Sequence, residues 1–208
     1  MIQFIKHRCN RVEDLDQCEG AWGVEIDLRS DVSNPNDLIL SHDVFSKGES
    51  FRKWLNHFKL TQIQGSIILN TKEDGLEALT MELVKDCGIK NEVIFLDTTI
   101  PTLRKWTREK KQKNFFIRYS SIEPLTFTEA QIGFCDWAWL DCFDRIPPNS
   151  EEVKRLAKNF KTCLVSPELQ GGTYEDIIRF LELTQYGLFA ICTKHPRVWM
   201  EELKKKGY

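Results

Sequence analysis

An α/β fold, and within it a closed (β/α)8 TIM barrel, is the architecture that this 208-residue sequence predicts. Three observations lead there. Eight short apolar runs alternate with longer amphipathic stretches along the chain. Many of the short runs are apolar on both faces, as buried parallel strands are. No GxGxxG or GxxxxGK[ST] loop is present to support the competing architecture, a doubly wound open sheet. The length suits one domain over residues 1–208, large enough to enclose a sizeable core.

The strand candidates are IQFIK (2–6), GVEIDL (23–28), SIILNT (66–71), EVIFLD (92–97), FFIRYS (115–120), WAWLD (137–141), TCLVSPE (162–168) and LFAICTK (188–194). Between the second and third, DVSNPND reads as a turn-rich loop. LILSHD after it reads as a short extra strand beside the second barrel strand. The helix candidates follow in order. SFRKWLNHF begins after a Gly-Glu-Ser stretch. EDGLEALTMELVKDCG carries apolar Leu76, Leu79, Leu83 and Val84 and closes on Gly88. TTIPTLRKWTREKK has Pro101 near its first turn, and NSEEVKRLAKNF opens on a capping Asn149-Ser150 before an acidic first turn. TYEDIIRFLELTQYG runs from Thr173 to Gly187, and HPRVWMEELKKK ends on lysines.

Composition narrows the function classes. Hydrophobic residues are 41% and charged residues 29%, and the net charge is -2, so nothing points to a nucleic-acid or anionic-membrane partner. The basic run at 104–113 reads as the solvated face of a helix. Seven cysteines without a CxxC pair suggest reduced thiols in a cytoplasmic protein rather than disulfides or a zinc site. No run is long enough for a signal peptide or for stable membrane insertion.

In a barrel, chemistry gathers at the C-terminal ends of the strands. Those ends offer His7 and Arg8, Glu25 and Asp27, Asn70 and Lys72, Asp97, Arg118 and Ser120, Asp141, Glu168, and Thr193 and Lys194. Residues two apart on a strand share a face, so Glu25 and Asp27 point one way and Val24, Ile26 and Leu28 the other. Two crowded carboxylates need protons or a cation. Either an Arg/Lys ion-pair network or a hard oxygen-liganded ion, Mg²⁺ or Ca²⁺, would satisfy them. His7 and His42, each ending an apolar run, bracket the acidic strand and suit an acid–base couple. Lys72 and Arg8 suit a phosphate. Trp137, Trp139, Trp199 and Phe143 are candidates for a sugar- or lipid-stacking wall or for core packing.

These residues resemble a known family. HR after the first strand, EID in the second, HD soon after and ILNTK in the third together resemble the glycerophosphodiester phosphodiesterases. More broadly they are similar to the barrel superfamily that includes phosphatidylinositol-specific phospholipases C. The match concentrates in residues 2–72. The resemblance implies a metal-dependent phosphodiester hydrolase with His7 and His42 as catalytic acid and base. It further implies Glu25 and Asp27 as ligands of a divalent cation (Mg or Ca), Asn70 in a third ligand position, and Lys72 and Arg8 on the phosphate. Arg118 is a further phosphate candidate, and Asp141 and Glu168 are candidates for substrate hydroxyls. The implied partner is a small-molecule or glycan phosphodiester. The chain departs from the family in three places. Cys9 stands where Gly usually follows His-Arg, Asn10 followed by Glu13 does not reproduce the Glu-Asn element, and Asn70 replaces a Glu. Those departures also fit a catalytically degenerate barrel that binds a phosphorylated ligand. A metal-dependent aldolase or isomerase on the same barrel is a third reading.

Overall fold

Eight parallel strands close into a barrel in the computed structural model, which describes residues 2–207. They are β1 (Gln3–Lys6), β2 (Gly23–Ser30), β5 (Ile67–Thr71), β6 (Val93–Leu96), β7 (Phe116–Tyr119), β8 (Trp137–Leu140), β9 (Lys161–Val165) and β10 (Ala190–Thr193). All eight coincide with the apolar runs read from the sequence. The ring runs β1-β2-β5-β6 on one side and β1-β10-β9-β8-β7 on the other. It closes between β6 and β7 through a parallel bridge, Phe95 to Phe115, and a 3.0 Å hydrogen bond from Phe95 N to the Asn114 carbonyl. The seam is thin in hydrogen bonds. The stacked rings of Phe95 and Phe115, with centroids 4.9 Å apart and both fully buried, fill it instead.

The extra strand expected beside β2 is there. β3 (Leu38–Leu40) pairs antiparallel with the end of β2, Leu28 opposite Leu40, and a two-residue β4 (Glu49–Ser50) pairs with β3. Since β2 is eight residues long, it outruns its neighbours, and this small hairpin extension rises from the barrel mouth. Its loop carries His42.

Helices wrap the outside. In α2 (Phe51–Phe58) Ser50 caps the first turn by accepting from Lys53 N. Buried Phe51, Trp54, Leu55 and Phe58 make its inner stripe. In α6 (Ser150–Ala157) Asn149 accepts from the amides of Glu151 and Glu152, the cap its sequence announced. α3 (Glu77–Asp86), α4 (Ile100–Arg104) and α8 (Pro196–Lys205) also fall where expected, α4 running on into a π turn at Lys105–Glu109. The basic run lies on that outer segment, with Lys105, Lys110 and Lys111 exposed.

One helix differs. The stretch from Thr173 to Gly187 is α-helical only in α7 (Ile177–Phe180) and continues as a 3-10 helix, Leu181–Tyr186. Phe180, Leu183 and Tyr186, which pack inward, lie three residues apart. That spacing suits three residues per turn rather than 3.6. Two further short helices, α1 (Val12–Leu15) and α5 (Leu125–Glu129), and a 3-10 turn at Pro167–Gln170 have no counterpart in the sequence reading. Among the described residues no helix is long and apolar enough to cross a membrane.

Candidate active site

The floor of the barrel mouth is built by β2 and β5. Period-two alternation turns Glu25 and Asp27 inward, where both are buried (0% and 1% exposed). Asp27 stands directly across the strand pair from Asn70. Around them the turn after β1 folds tightly, with Arg8 in the left-handed region at φ 56. This non-glycine strain costs about 1–3 kcal/mol. It brings the Arg8 amide 2.8 Å from Glu25 Oε2 and Arg8 Nε 3.6 Å from Asp27 Oδ2. His7 Nε2 lies 3.6 Å from Glu25 Oε2. Asn10 clamps Asp27 from both ends: its Nδ2 donates to Asp27 Oδ2 at 2.8 Å, and its Oδ1 accepts from Asp27 N at 2.9 Å.

Burial governs the electrostatics here. Desolvation, reinforced by the like charge of Asp27, pushes the Glu25 carboxyl up to about 8, against the pull of the Arg8 amide and Lys72. Desolvation and the Arg8 charge lower His7 to about 3, the neighbouring Asp27 opposing.

Three buried oxygens on this floor accept no hydrogen bond: Glu25 Oε1, Asp27 Oδ1 and Asn70 Oδ1. Lys72 Nζ lies 3.0 Å from Asp27 Oδ1, an ion pair whose angle does not make a hydrogen bond. A buried polar atom left without a partner costs about 1–3 kcal/mol. Glu25 Oε1 and Asn70 Oδ1, which have no partner, together with Asp27 Oδ1, which has only the Lys72 ion pair, make a set of oxygen donors of the kind a hard divalent cation takes. The residues therefore fit Mg²⁺ or Ca²⁺.

Above the floor opens a cavity of about 540 Å³. Its walls bring together His7, Arg8, His42, Asn70, Lys72, Arg118 and Asp141, seven of the ten residues singled out in the sequence. Glu25 and Asp27 lie beneath it. His42 stands at the lip, its side chain 44% exposed and its Nδ1 2.8 Å from Asp43 Oδ1. Trp139 and Phe143 face the cavity, whereas Trp137 and Trp199 are core, the latter donating to Ser166 Oγ at 2.7 Å.

Two expectations change in detail. Arg118 lines the cavity but is already engaged by carboxylates: its terminal nitrogens bond Asp97 and Asp141, and its Nε lies 3.5 Å from Glu123. Glu168 does not line the cavity. Its carboxylate accepts from Ser166 Oγ, from Thr193 Oγ1 at 2.5 Å and from the Lys194 amide at 3.0 Å, tying the end of β9 to that of β10. A carboxylate with both oxygens so occupied is a joint between strands rather than a receptor for hydroxyls.

Two site residues, Asn10 and Gln170, were given no role by the sequence, and Asp97 stood there only as one of the polar strand ends. Asn10 sits two residues past Arg8, and its adjacency to His-Arg was the only available signal. Asp97, left-handed at φ 61, bonds Arg118 and lies 4.0 Å from Lys72 Nζ. Gln170 donates to Asp141 Oδ1 at 2.7 Å from a 3-10 turn that no local pattern foretold.

No family model matches the sequence, and no curated protein matches it. Solved structures do. A protein described as a glycerophosphoryl diester phosphodiesterase from Agrobacterium tumefaciens superposes with a TM-score of 0.74 over 100% of this chain and 99% of that one, at 10% identity. One described as a glycerophosphodiester phosphodiesterase from Galdieria sulphuraria gives 0.75 over 98% of each, at 14% identity. An Oleispira antarctica phosphodiesterase in complex with the product sn-glycerol-3-phosphate gives 0.73 over 97% of this chain and 96% of that one, also at 14%. The fold is that of the glycerophosphodiester phosphodiesterases. On this fold the chain places two histidines and a lysine around the cavity at its mouth, with Glu25, Asp27 and Asn70 on the floor.

Proposed function

We propose that this protein is a phosphodiester hydrolase of the glycerophosphodiester phosphodiesterase type. The observation that carries the reading is the meeting of His7, His42, Arg8 and Lys72 around one cavity whose floor holds three buried oxygens that accept no hydrogen bond, one of them ion-paired with Lys72. The likeness in fold to an enzyme whose bound product is sn-glycerol-3-phosphate supports it. Arg8 and Lys72 hold the phosphate's non-bridging oxygens and offset their charge. His7, set deep beside Glu25, takes a proton from the attacking water or from a neighbouring substrate hydroxyl. A new P–O bond forms, the P–O bond to the alcohol breaks, and His42 at the lip protonates the departing oxygen. Glu25, Asp27 and Asn70 would hold a divalent cation, Mg or Ca, which supplies further charge neutralisation at the phosphate. Asp141 and Arg118 pair with each other in the cavity wall, and both oxygens of Asp141 already accept hydrogen bonds.

The test is the leaving-group dependence of His42→Ala. General acid catalysis is worth about a hundred- to ten-thousand-fold. Turnover of an alkyl diester such as glycerophosphocholine should fall by that factor, while an aryl diester, whose phenolate leaves without a proton, should lose far less. Equal mild losses on both would remove His42 from the role. A second reading, a barrel that binds a phosphorylated ligand without cleaving it, draws on Asn70, which supplies one negative charge fewer than a carboxylate would. A diester panel showing no phosphate release with either metal, in a phosphatase-coupled assay, would favour it.

A further inference from the structure

All seven cysteines are free thiols, and five of them are alike. Cys87, Cys135, Cys142, Cys163 and Cys192 are buried, and burial raises their thiols above the ordinary range. Cys9 and Cys18 differ: they lie nine residues apart in the chain with their Sγ atoms 3.8 Å from each other. Cys9 Sγ also lies 3.6 Å from the Lys6 carbonyl oxygen, and Cys18 Sγ donates to the Asp14 carbonyl at 3.4 Å. The pair is asymmetric, with Cys9 fully buried and Cys18 half-buried. The hydrogen bond from Cys9, aided by the charge of Lys6, lowers the Cys18 thiol against desolvation. A partly exposed thiol that ionises readily is the kind that peroxide oxidises first.

The backbone around the two sulfurs is fixed unevenly. Cys9 ends the turn that carries His7 and Arg8. Its amide donates to the Glu25 carbonyl at 2.8 Å, its carbonyl accepts from Trp54 Nε1 at 2.8 Å, and the next residue, Asn10, grips Asp27 at two points. Cys18 lies beyond α1, and its amide donates to the Leu15 carbonyl of its own loop at 3.0 Å. That loop meets the α2 side of the barrel through Val12 N, 3.2 Å from Glu49 Oε2, and Asp16 Oδ1, 2.9 Å from His57 Nε2. Arg11, Glu13, Asp16 and Gln17 face solvent. A disulfide needs its sulfurs about 2.05 Å apart. The α1 loop is the side that can close the gap, because the turn at Cys9 is bonded to β2 and α2 on both of its peptide groups.

We propose that Cys9 and Cys18 are a peroxide-reactive pair that closes into a disulfide and staples the α1 loop to the turn bearing His7 and Arg8. The juxtaposition that carries it is two sulfurs in contact, one reachable from solvent, set on one fixed and one movable segment. The Cys18 thiolate attacks hydrogen peroxide: an S–O bond forms, the O–O bond breaks, and the departing hydroxide takes a proton to become water. The Cys9 sulfur then displaces the oxygen of the Cys18 sulfenic acid. The S–S bond forms, the S–O bond breaks, and the Cys9 proton leaves with that oxygen as a second water. The two thiols lose two electrons and the peroxide gains them. Neither cysteine lines the mouth cavity, so the staple holds whether that cavity cleaves a diester or only binds a phosphate.

The experiment titrates the reduced full chain with hydrogen peroxide, blocks remaining thiols with N-ethylmaleimide in denaturant, and digests with trypsin. Cleavage after Arg8, Arg11 and Arg29 places the two cysteines on separate peptides, 9–11 and 12–29. The expected product is these two peptides joined and lighter by two hydrogens, restored to free thiols by dithiothreitol, with the other five cysteines still blocked by the maleimide. The oxidised chain should melt about 5–10 °C above the reduced one, as a ring of this size predicts at this chain length. Amide exchange over residues 7–18 should slow with it. Cys18→Ser should give neither the joined peptides nor the rise in melting temperature under the same peroxide. Both thiols still blocked after peroxide, Cys18 joined to a different cysteine, or a joined pair that melts no higher than the reduced chain would each overturn the proposal.

Discussion

Asn10 and Asn70 frame the candidate cation site, one as a brace to Asp27 and one as a proposed ligand. Asn10 touches no orphan oxygen, yet it holds Asp27 at both its carboxylate and its amide. Partners of this kind orient metal ligands, and their loss typically costs about 10–100-fold in affinity. Asn10→Ala should therefore weaken calcium binding by about that factor, read by isothermal titration calorimetry. An unchanged dissociation constant would leave Asn10 a purely structural contact. Asn70 contributes a neutral carbonyl oxygen where the family resemblance led us to expect a carboxylate. Affinity for hard cations is tuned by the number of charged ligands, so Asn70→Glu should tighten calcium by about tenfold. The same titration, if it showed weaker binding, would mean that Asn70 Oδ1 does not point at the ion.

Elements outside the barrel hold the site as much as the strands do. Trp54 of α2 is fully buried between Phe51 and Phe58, and its indole N–H donates to the Cys9 carbonyl at 2.8 Å. That bond fastens the turn bearing His7 and Arg8 to the outer helix. Trp54→Phe keeps most of the packing and strands a buried carbonyl, which costs about 1–3 kcal/mol. Urea denaturation should show that loss with little change in m-value. A second constraint lies where β2 and β5 begin. A side chain added at Gly65 would sit 2.4 Å from both the Trp22 carbonyl oxygen and Gly23 N, so the two backbones cross with no room for a Cβ. The long elements were legible from sequence because their caps and apolar stripes are local. The four- and five-residue helices α1 and α5 were not, since so few residues carry no period to read.

The barrel as a whole has one weak line, between β6 and β7, where Phe95 and Phe115 stand in for a ladder. Phe115→Ala should cost about 3–5 kcal/mol, as large-to-small changes at fully buried aromatics do. Amide exchange should rise first around residues 93–96 and 114–119. If protection fell evenly around the ring instead, the seam would not be the point of opening. Ligand linkage acts on the same scale. A cation that binds only the folded state adds about 2.7 kcal/mol at a hundred times its dissociation constant. At this chain length that is a rise of several degrees in the melting temperature. Calcium or magnesium should produce it in the wild type and not in Asp27→Asn, and a wild type indifferent to both ions would retire the cation.

Eight strands, their order and the inward pair Glu25 and Asp27 were readable because each depends on a pattern a few residues long: apolar runs, alternation by two, caps. The histidines and Lys72 were readable because they end such runs, and the family resemblance supplied their grouping. Closure of the ring decided the rest. It spent Glu168 on joining β9 to β10, surrounded Arg118 with three carboxylates, and enlisted Asn10, Asp97 and Gln170 from separate turns. Apart from Glu123, five residues from Arg118, such assignments depend on which hydrogen-bond partners arrive from 17 to 29 residues away along the chain. No local pattern encodes that distance, because only a folded barrel brings those partners within about 3 Å of one another.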